Sequence, residues 1–495
     1  MAKWRQIWAV AAVLLGLVIP ASAQTDAQKA AFAAIDPLFE KFMRDEHVPG
    51  QVYGVVADGK LVYVRSLGVQ DTKTNSPVTA DTVFRIASMS KNFTALAALK
   101  LRDQGKLSFD APAERYIPEL KALKYPTSDS PKITVRDLLS HSAGLVTDNP
   151  WGDRQLAMSE RDFSRLIAKD LRLAQPAGMT YEYSNTGYAL AGRLVTNVSG
   201  QNYADYITAN FLKPLGMTST SYDFSKVPAA RRAIGYRWQD DGWIEEPVLG
   251  PGPYGAMGGL MTTANDYAKY LAWELAAWPP RDGPEDGILK RASVREIQRP
   301  LTYAVAVPAA DPAGCARTVS YGLGTIPGYD CVLGFHFSHS GGLPGYGSHV
   351  LLLRDRGIAI FGFANRRYAA QSDLIREAAA RLVKSGAFPL RAVQPNPDLQ
   401  TAAMRVAKIY AAGDVLAEPG LLAMNVLLDQ DAGHRNSQIA KLKTSLGSCG
   451  GADPIKTGNP VAATITYPCE HGALRVRILL APTLPASLQT LDFGP

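Results

Sequence analysis

Polar and apolar positions along the chain fall into runs with distinct periods. Apolar residues recur at helical spacing, or fill the run, through residues 26–44, 93–101, 189–198 and 373–384, which predicts four helices. Residues 52–56 and 61–64 alternate or run apolar on either side of Asp58-Gly59, a predicted hairpin. A second hairpin is predicted for residues 350–353 and 358–363, joined through Asp355-Arg356-Gly357. Strands at both ends of a region whose middle reads as helices and loops imply one antiparallel sheet closed by segments far apart in sequence. The expected fold class is therefore α/β (α+β): an antiparallel sheet flanked by helices, with a helical subdomain inserted.

Residues 240–259, 278–287 and 307–317 gather Pro and Gly without apolar periodicity and read as long loops, expected to wall a cleft. Residues 389–397 read as a linker. Beyond it, a helix over 399–411 and strands over 461–467, 473–480 and 487–493 predict a small α+β unit. The domain expectation is a leader over 1–23, a main domain over 24–390 and an accessory domain over 391–495.

The leader is read from Lys3 and Arg5, an apolar run over residues 7–19, and Pro20 followed by Ala21-Ser22-Ala23, the small-residue pattern of a signal-peptidase site. Cleavage is expected before Gln24, giving a periplasmic or secreted chain with no stable membrane span. Loss of Lys3 and Arg5 lowers the net charge from +7 to +5. No Lys/Arg cluster gathers that excess, so no nucleic-acid partner is expected. Four cysteines fit an oxidising compartment, and local pairing of Cys315 with Cys331 and of Cys449 with Cys469 keeps each bridge inside one predicted domain. Their spacing does not resemble a zinc site, and no metal or cofactor is called for.

The chemistry gathers in three short motifs. Ser88-Met89-Ser90-Lys91 opens the run at 93–101, and residues i and i+3 share a helix face, so Lys91 can lie beside the Ser88 hydroxyl as its base. Tyr183-Ser184-Asn185 stands just before the helix at 189–198. A tyrosine near an amine can relay protons, and an asparagine can donate to a substrate carbonyl and accept from its N–H. His339-Ser340-Gly341-Gly342 ends a strand-like run at 333–338, where glycines let a substrate backbone approach. Lys384-Ser385-Gly386 has a similar form, but it falls where lysine and glycine ordinarily close a helix, and His339 is preferred.

With these motifs in that order, the chain resembles the serine β-lactamase and penicillin-binding-protein-like hydrolases over about residues 30–385. The similar branch holds class C β-lactamases, D-aminopeptidases, D-Ala-D-Ala carboxypeptidases and esterases. Residues 133–145, Gly258-Gly259-Leu260-Met261-Thr262-Thr263-Ala264, Tyr321-Gly322-Leu323-Gly324 and Gly345-Tyr346-Gly347 add to the likeness. What the resemblance implies is an acyl-enzyme on Ser88, with Lys91 and Tyr183 moving its proton. It also implies an oxyanion hole from the backbone N–H groups of Ser88 and Gly342, and substrate contacts from Asn185, His339, Ser340 and Gly341. Histidine in place of the third motif's more familiar lysine attracts a carboxylate less well at neutral pH. Peptides or amides, including D-residue ones, or small esters are therefore expected ahead of β-lactams. A receptor that recognises penicillin without turnover is the non-enzymatic alternative.

Overall fold

The computed structural model describes residues 24–309, 315–455 and 457–495. The expected leader, residues 1–23, lies outside them. The chain divides into two compact units at Pro389 and Leu390.

Helix α1 (Asp26–Asp45) starts at Thr25, whose hydroxyl accepts from the Gln28 N–H at 3.2 Å while the Gln28 side chain accepts from the Thr25 N–H at 3.0 Å. These reciprocal bonds satisfy backbone donors that the first helical turn leaves free. The sheet follows as β1 (Gly50–Ala57), β2 (Lys60–Asp71), β3 (Ser76–Pro77), β4 (Thr302–Val307), β5 (Arg317–Tyr321), β6 (Ile326–Asp330), β7 (Gly334–Leu343), β8 (Tyr346–Leu353) and β9 (Ile358–Ala364). Their order is β3-β2-β1-β9-β8-β7-β6-β5-β4, and every pairing is antiparallel. Gln51 pairs with Ala364 and Ala57 with Ile358, so segments some three hundred residues apart close the sheet as the patterning implied.

Strands β1, β8 and β9 are buried along their whole length, which is why they read as apolar runs. Alternation sorts their side chains between two cores. Val52, Val350, Leu352, Phe361 and Phe363 face the helical subdomain. That core includes α2 (Ser90–Asp103), α3 (Asn185–Ser199) and α4 (Ala264–Leu275). Tyr53, Val55, Leu351, Leu353 and Ile360 instead meet α1 and α5 (Ser372–Lys384) on the opposite face. Each such aliphatic side chain contributes about 1.5–3 kcal/mol by leaving water, so a charge at Ile360 would unseat α1 and α5 together.

Two expectations change. The segment 240–259 is not all loop: Gly242–Glu245 forms a strand and Gly255–Gly258 a helical turn. Strands β4, β5 and β6 escape the sequence patterning because they are short and lie toward one edge, with exposed positions interrupting any apolar run.

In the second unit, α6 (Pro397–Ala412) and α7 (Ala432–Leu446) pack with β10 (Ala462–Cys469), β11 (Gly472–Leu480) and β12 (Leu488–Gly494), an antiparallel sheet in sequence order. Helix α7 buries little beyond Ile439 and Leu446, so it carries almost no apolar stripe to read. Disulfides join Cys315 to Cys331 and Cys449 to Cys469, the local pairing.

Candidate active site

Ser88 sits in a single 3-10 turn, Ala87–Met89, that leads directly into α2. Ala87 holds a positive φ of 50°, a conformation that costs a non-glycine residue about 1–3 kcal/mol and persists only where neighbours impose it. Those neighbours are visible. The Ser90 hydroxyl donates to the Ala87 carbonyl at 2.7 Å and accepts from the Leu260 N–H at 3.0 Å. The Ser348 hydroxyl, from β8, donates to the Ile86 carbonyl at 2.8 Å. Gly341 of β7 lies so close that a Cβ there would stand 2.3 Å from the same carbonyl. Sheet and helix thus grip the turn from both sides.

One helical turn on, Lys91 is fully buried. Its Nζ lies 3.0 Å from Ser88 Oγ, 2.8 Å from Asn185 Oδ1 and 3.0 Å from the Met257 carbonyl oxygen. The last two can only accept, whereas a hydroxyl can donate or accept. An ammonium donates to all three, and a neutral amine, with two hydrogens and one lone pair, also fits them with Ser88 donating. Burial pushes the Lys91 pKa down to about 7, against the opposing pull of Asp153 and Asp148. Tyr183, partly buried, lines the cavity with Ser88, its ring centroid is 4.9 Å from Lys91 Nζ, and burial raises its pKa well above the usual value. The three residues of the predicted constellation therefore gather around one cavity.

Asn185 is placed by the start of α3. The Ser184 hydroxyl accepts from the Gly187 N–H at 3.1 Å, and the Asp148 carboxylate accepts from the N–H groups of Asn185 and Thr186 at 2.6 and 2.8 Å. A carboxylate suits the positive end of a helix. The Asn185 amide nitrogen in turn donates to Asp153 Oδ1 at 3.3 Å and to the Asn149 side chain.

His339, Ser340, Gly341 and Gly342 lie within β7 rather than beyond a strand's end. Their partners on β8 run from Val350 to Gly347, while β6 pairs with β7 only as far as Ser338. The edge from His339 onward therefore has no strand beside it there. His339 is buried, and its Nδ1 lies 2.6 Å from the Ser340 carbonyl, which can only accept. The ring proton thus sits on Nδ1, and Nε2 accepts from the Tyr321 hydroxyl at 2.9 Å. Burial, with Lys91 nearby, pushes the His339 pKa down to about 3, so the ring is uncharged. The exposed Ser340 hydroxyl bonds His349 Nδ1 at 2.8 Å, and burial pushes that histidine to about 3 as well.

A cavity of about 400 Å³ opens here, lined by Ser88, Tyr183, His339, Ser340 and Gly342 with Asn149, Pro150, Asp153, Ile326 and Tyr368. None of the three long loops expected to wall the cleft contributes a lining side chain, although Met257 of the first one holds Lys91 from below. Lys384 ends α5 as an exposed side chain, Ser385 bonds back to the Leu382 carbonyl, and Gly386 takes φ +72°. That segment closes a helix and takes no part in the cavity.

Sequence reasoning missed Asp153 and Tyr368, lone residues in segments without a motif. It quoted the stretches holding His141 and Tyr321 without assigning them roles. His141 Nδ1 accepts from the Ser184 N–H at 3.1 Å, and its ring stacks 4.3 Å from those of Tyr183 and Tyr321.

The beta-lactamase family model matches residues 35–385. The chain belongs to the beta-lactamase family. Within that family it is similar to the protein Flp of Staphylococcus aureus (strain COL), 29% identical over 343 residues that cover 68% of this chain and 63% of Flp. It is also similar to beta-lactamase-like protein 2 of Dictyostelium discoideum, 30% identical over 280 residues that cover 55% and 49% of the two chains. The chain thus spans less than two thirds of these relatives' lengths. Among solved structures, the octameric penicillin-binding protein homologue from Pyrococcus abyssi shares the fold, with a TM-score of 0.55, 20% identity and coverage of 93% and 95%. Among the described residues, no helix is long and apolar enough to cross a membrane.

Proposed function

We propose that this beta-lactamase-family protein is an exported serine hydrolase that works through an acyl-enzyme on Ser88. Its substrates are peptides or amides, including ones with D-residues, or small esters. The observation that carries the reading is the buried Lys91 amine, 3.0 Å from Ser88 Oγ with two obligate acceptors on its other side. Residues 24–390 form the hydrolase domain and residues 391–495 an accessory one.

In the forward step Ser88 Oγ bonds to the substrate carbonyl carbon as its proton passes to Lys91 Nζ. Lys91 is the better base because burial favours its neutral form, whereas burial of Tyr183 disfavours phenolate. Tyr183 stays protonated and carries a proton from the Ser88 and Lys91 pair to the leaving nitrogen or oxygen as the carbonyl bond breaks. Water then attacks the acyl carbon, and Ser88 recovers its proton. The backbone N–H groups of Ser88 and Gly342 serve the oxyanion, each worth about a hundredfold or more in rate. Asn185 orients the substrate amide, and the strand from His339 to Gly342 lies along the substrate backbone, its free edge available for β-type pairing.

Intact-mass measurement after incubation with a fluorophosphonate, and separately with benzylpenicillin, tests the reading on the natural chain and on Ser88→Ala. An adduct on the natural chain alone supports it. Labelling that persists in Ser88→Ala would refute the nucleophile, and efficient cephalosporin turnover without peptide or ester cleavage would replace the substrate class.

A further inference from the structure

The cavity around Ser88 is unbalanced in charge. Of the side chains that line it, Asp153 is the one carboxylate. His339 is uncharged, Ser340 is tied to an uncharged His349, and no lysine or arginine lines the wall. Asp153 is only 3% exposed, yet it lines the same cavity as Ser88. It is linked to Ser88 through three contacts: 3.0 Å to Lys91, 2.8 Å from there to Asn185, and 3.3 Å on to Asp153.

The carboxylate is oriented without being exhausted. Oδ2 accepts from the Tyr368 hydroxyl at 2.9 Å and Oδ1 from Asn185. Two oxygens offer about four acceptor sites, so room remains for an incoming donor. The charged groups that act on it are Lys91, Asp148 and Arg154, and Arg154 is itself bonded to Glu246 at 3.2 Å. Burial raises its pKa to about 6, against the opposing pull of Lys91 and Arg154. Tyr368 is held in place from the other side: it takes φ +47°, and Gly342 leaves space for its ring, since a Cβ there would stand 2.7 Å from Tyr368 Cδ1.

We propose that Asp153 receives the ammonium group of substrates whose scissile carbonyl carries an α-amine, so that the site selects free-amine aminoacyl amides or esters over carboxylate-bearing ones. This rests on the acyl-enzyme reading above and adds its substrate class. An ammonium would meet a carboxylate that has no cation on the cavity wall, whereas a substrate carboxylate would meet Asp153 with only the more distant Lys91 and Arg154 to offset the repulsion. The α-position is favoured because it is the substituent nearest the scissile carbonyl, and Asp153 shares a cavity of about 400 Å³ with Ser88.

The test is a charge series at pH 7, where an α-amine is mostly protonated. Alanine p-nitroanilide carries the ammonium, its N-acetyl form is neutral and its N-succinyl form is anionic. N-acetyllysine p-nitroanilide, with a side-chain ammonium, separates the two sources of amine. Each is assayed in D and L forms, both for turnover and for protection of Ser88 from a fluorophosphonate, which reads occupancy even without turnover. The free α-amine should be preferred over the neutral form by about tenfold or more, with the anionic form weakest and N-acetyllysine near neutral. In Asp153→Asn the free-amine substrate should lose on the order of tenfold or more beyond whatever the neutral one loses. Equal losses across the series would show Asp153 acting only through Lys91 and overturn the proposal, as would preference for the anionic or side-chain amine. If Asp153→Asn fails to fold, the series on the natural chain decides alone. Absent Ser88 labelling strikes the acyl-enzyme reading instead, whereas normal labelling without charge preference strikes this inference only.

Discussion

The floor of the Ser88 cavity and the C-terminal unit use the same residue types to opposite ends. Under the cavity, Lys91, His141, Asp153 and His339 are all at most 3% exposed, and burial is the first cause of every shift in their pKa values. In the C-terminal unit, Glu418 meets Arg405 at 2.8 Å and Lys408 at 3.4 Å near the surface, and the Arg405 hydrogen bond is what holds its carboxyl low. Water decides the difference. Exposed pairs settle in their ordinary charge states and contribute little, whereas exclusion of water leaves a lysine poised to give up its proton near neutrality.

The hardest blow to that contrast is Lys91→Ala. It should lower kcat/KM by about a thousandfold, read as steady-state hydrolysis of a p-nitrophenyl ester. In the natural chain the active form is the neutral amine, so kcat/KM should rise with pH through about 7, and this limb should vanish in the variant. A profile falling through the same range would assign the work to a protonated Lys91.

A smaller effect is expected from the other region. Replacing Cys449 and Cys469 by alanine opens a loop with a sequence separation of 20 and should cost the C-terminal unit about 3 kcal/mol. Denaturant titration would measure it, with ester hydrolysis in buffer unchanged. Smallest of all, Lys384→Ala removes an exposed lysine at the end of α5 and should leave stability within about 0.5 kcal/mol and turnover intact. A loss of turnover there would reinstate the residue as the third motif's cation.

The contrast also explains what could be read in advance. Ser88, Lys91, Tyr183, Asn185 and His339 sit in short motifs because each must hold a fixed place relative to a helix start or a strand, and such places leave local signatures. The hairpins were legible because β1, β8 and β9, buried on both faces, stay apolar at nearly every position. Asp153 left no trace: its importance comes from the company of Tyr368, 215 residues away, and of Asn185, and neither separation has a period. Helix α7 was hidden for the converse reason, since a helix that buries little needs no stripe.

The grip on the Ser88 turn has a consequence for how the protein is made. Residues 86 to 91 leave the ribosome some 250 residues ahead of Gly341 and Ser348, which complete the clamp on the Ile86 carbonyl. A nascent chain ending before β8 already contains serine, lysine and tyrosine but lacks Ser348, whose bond to the Ile86 carbonyl completes the grip on the turn. On the proposed mechanism, full reactivity of Ser88 therefore waits until the last central strands have docked.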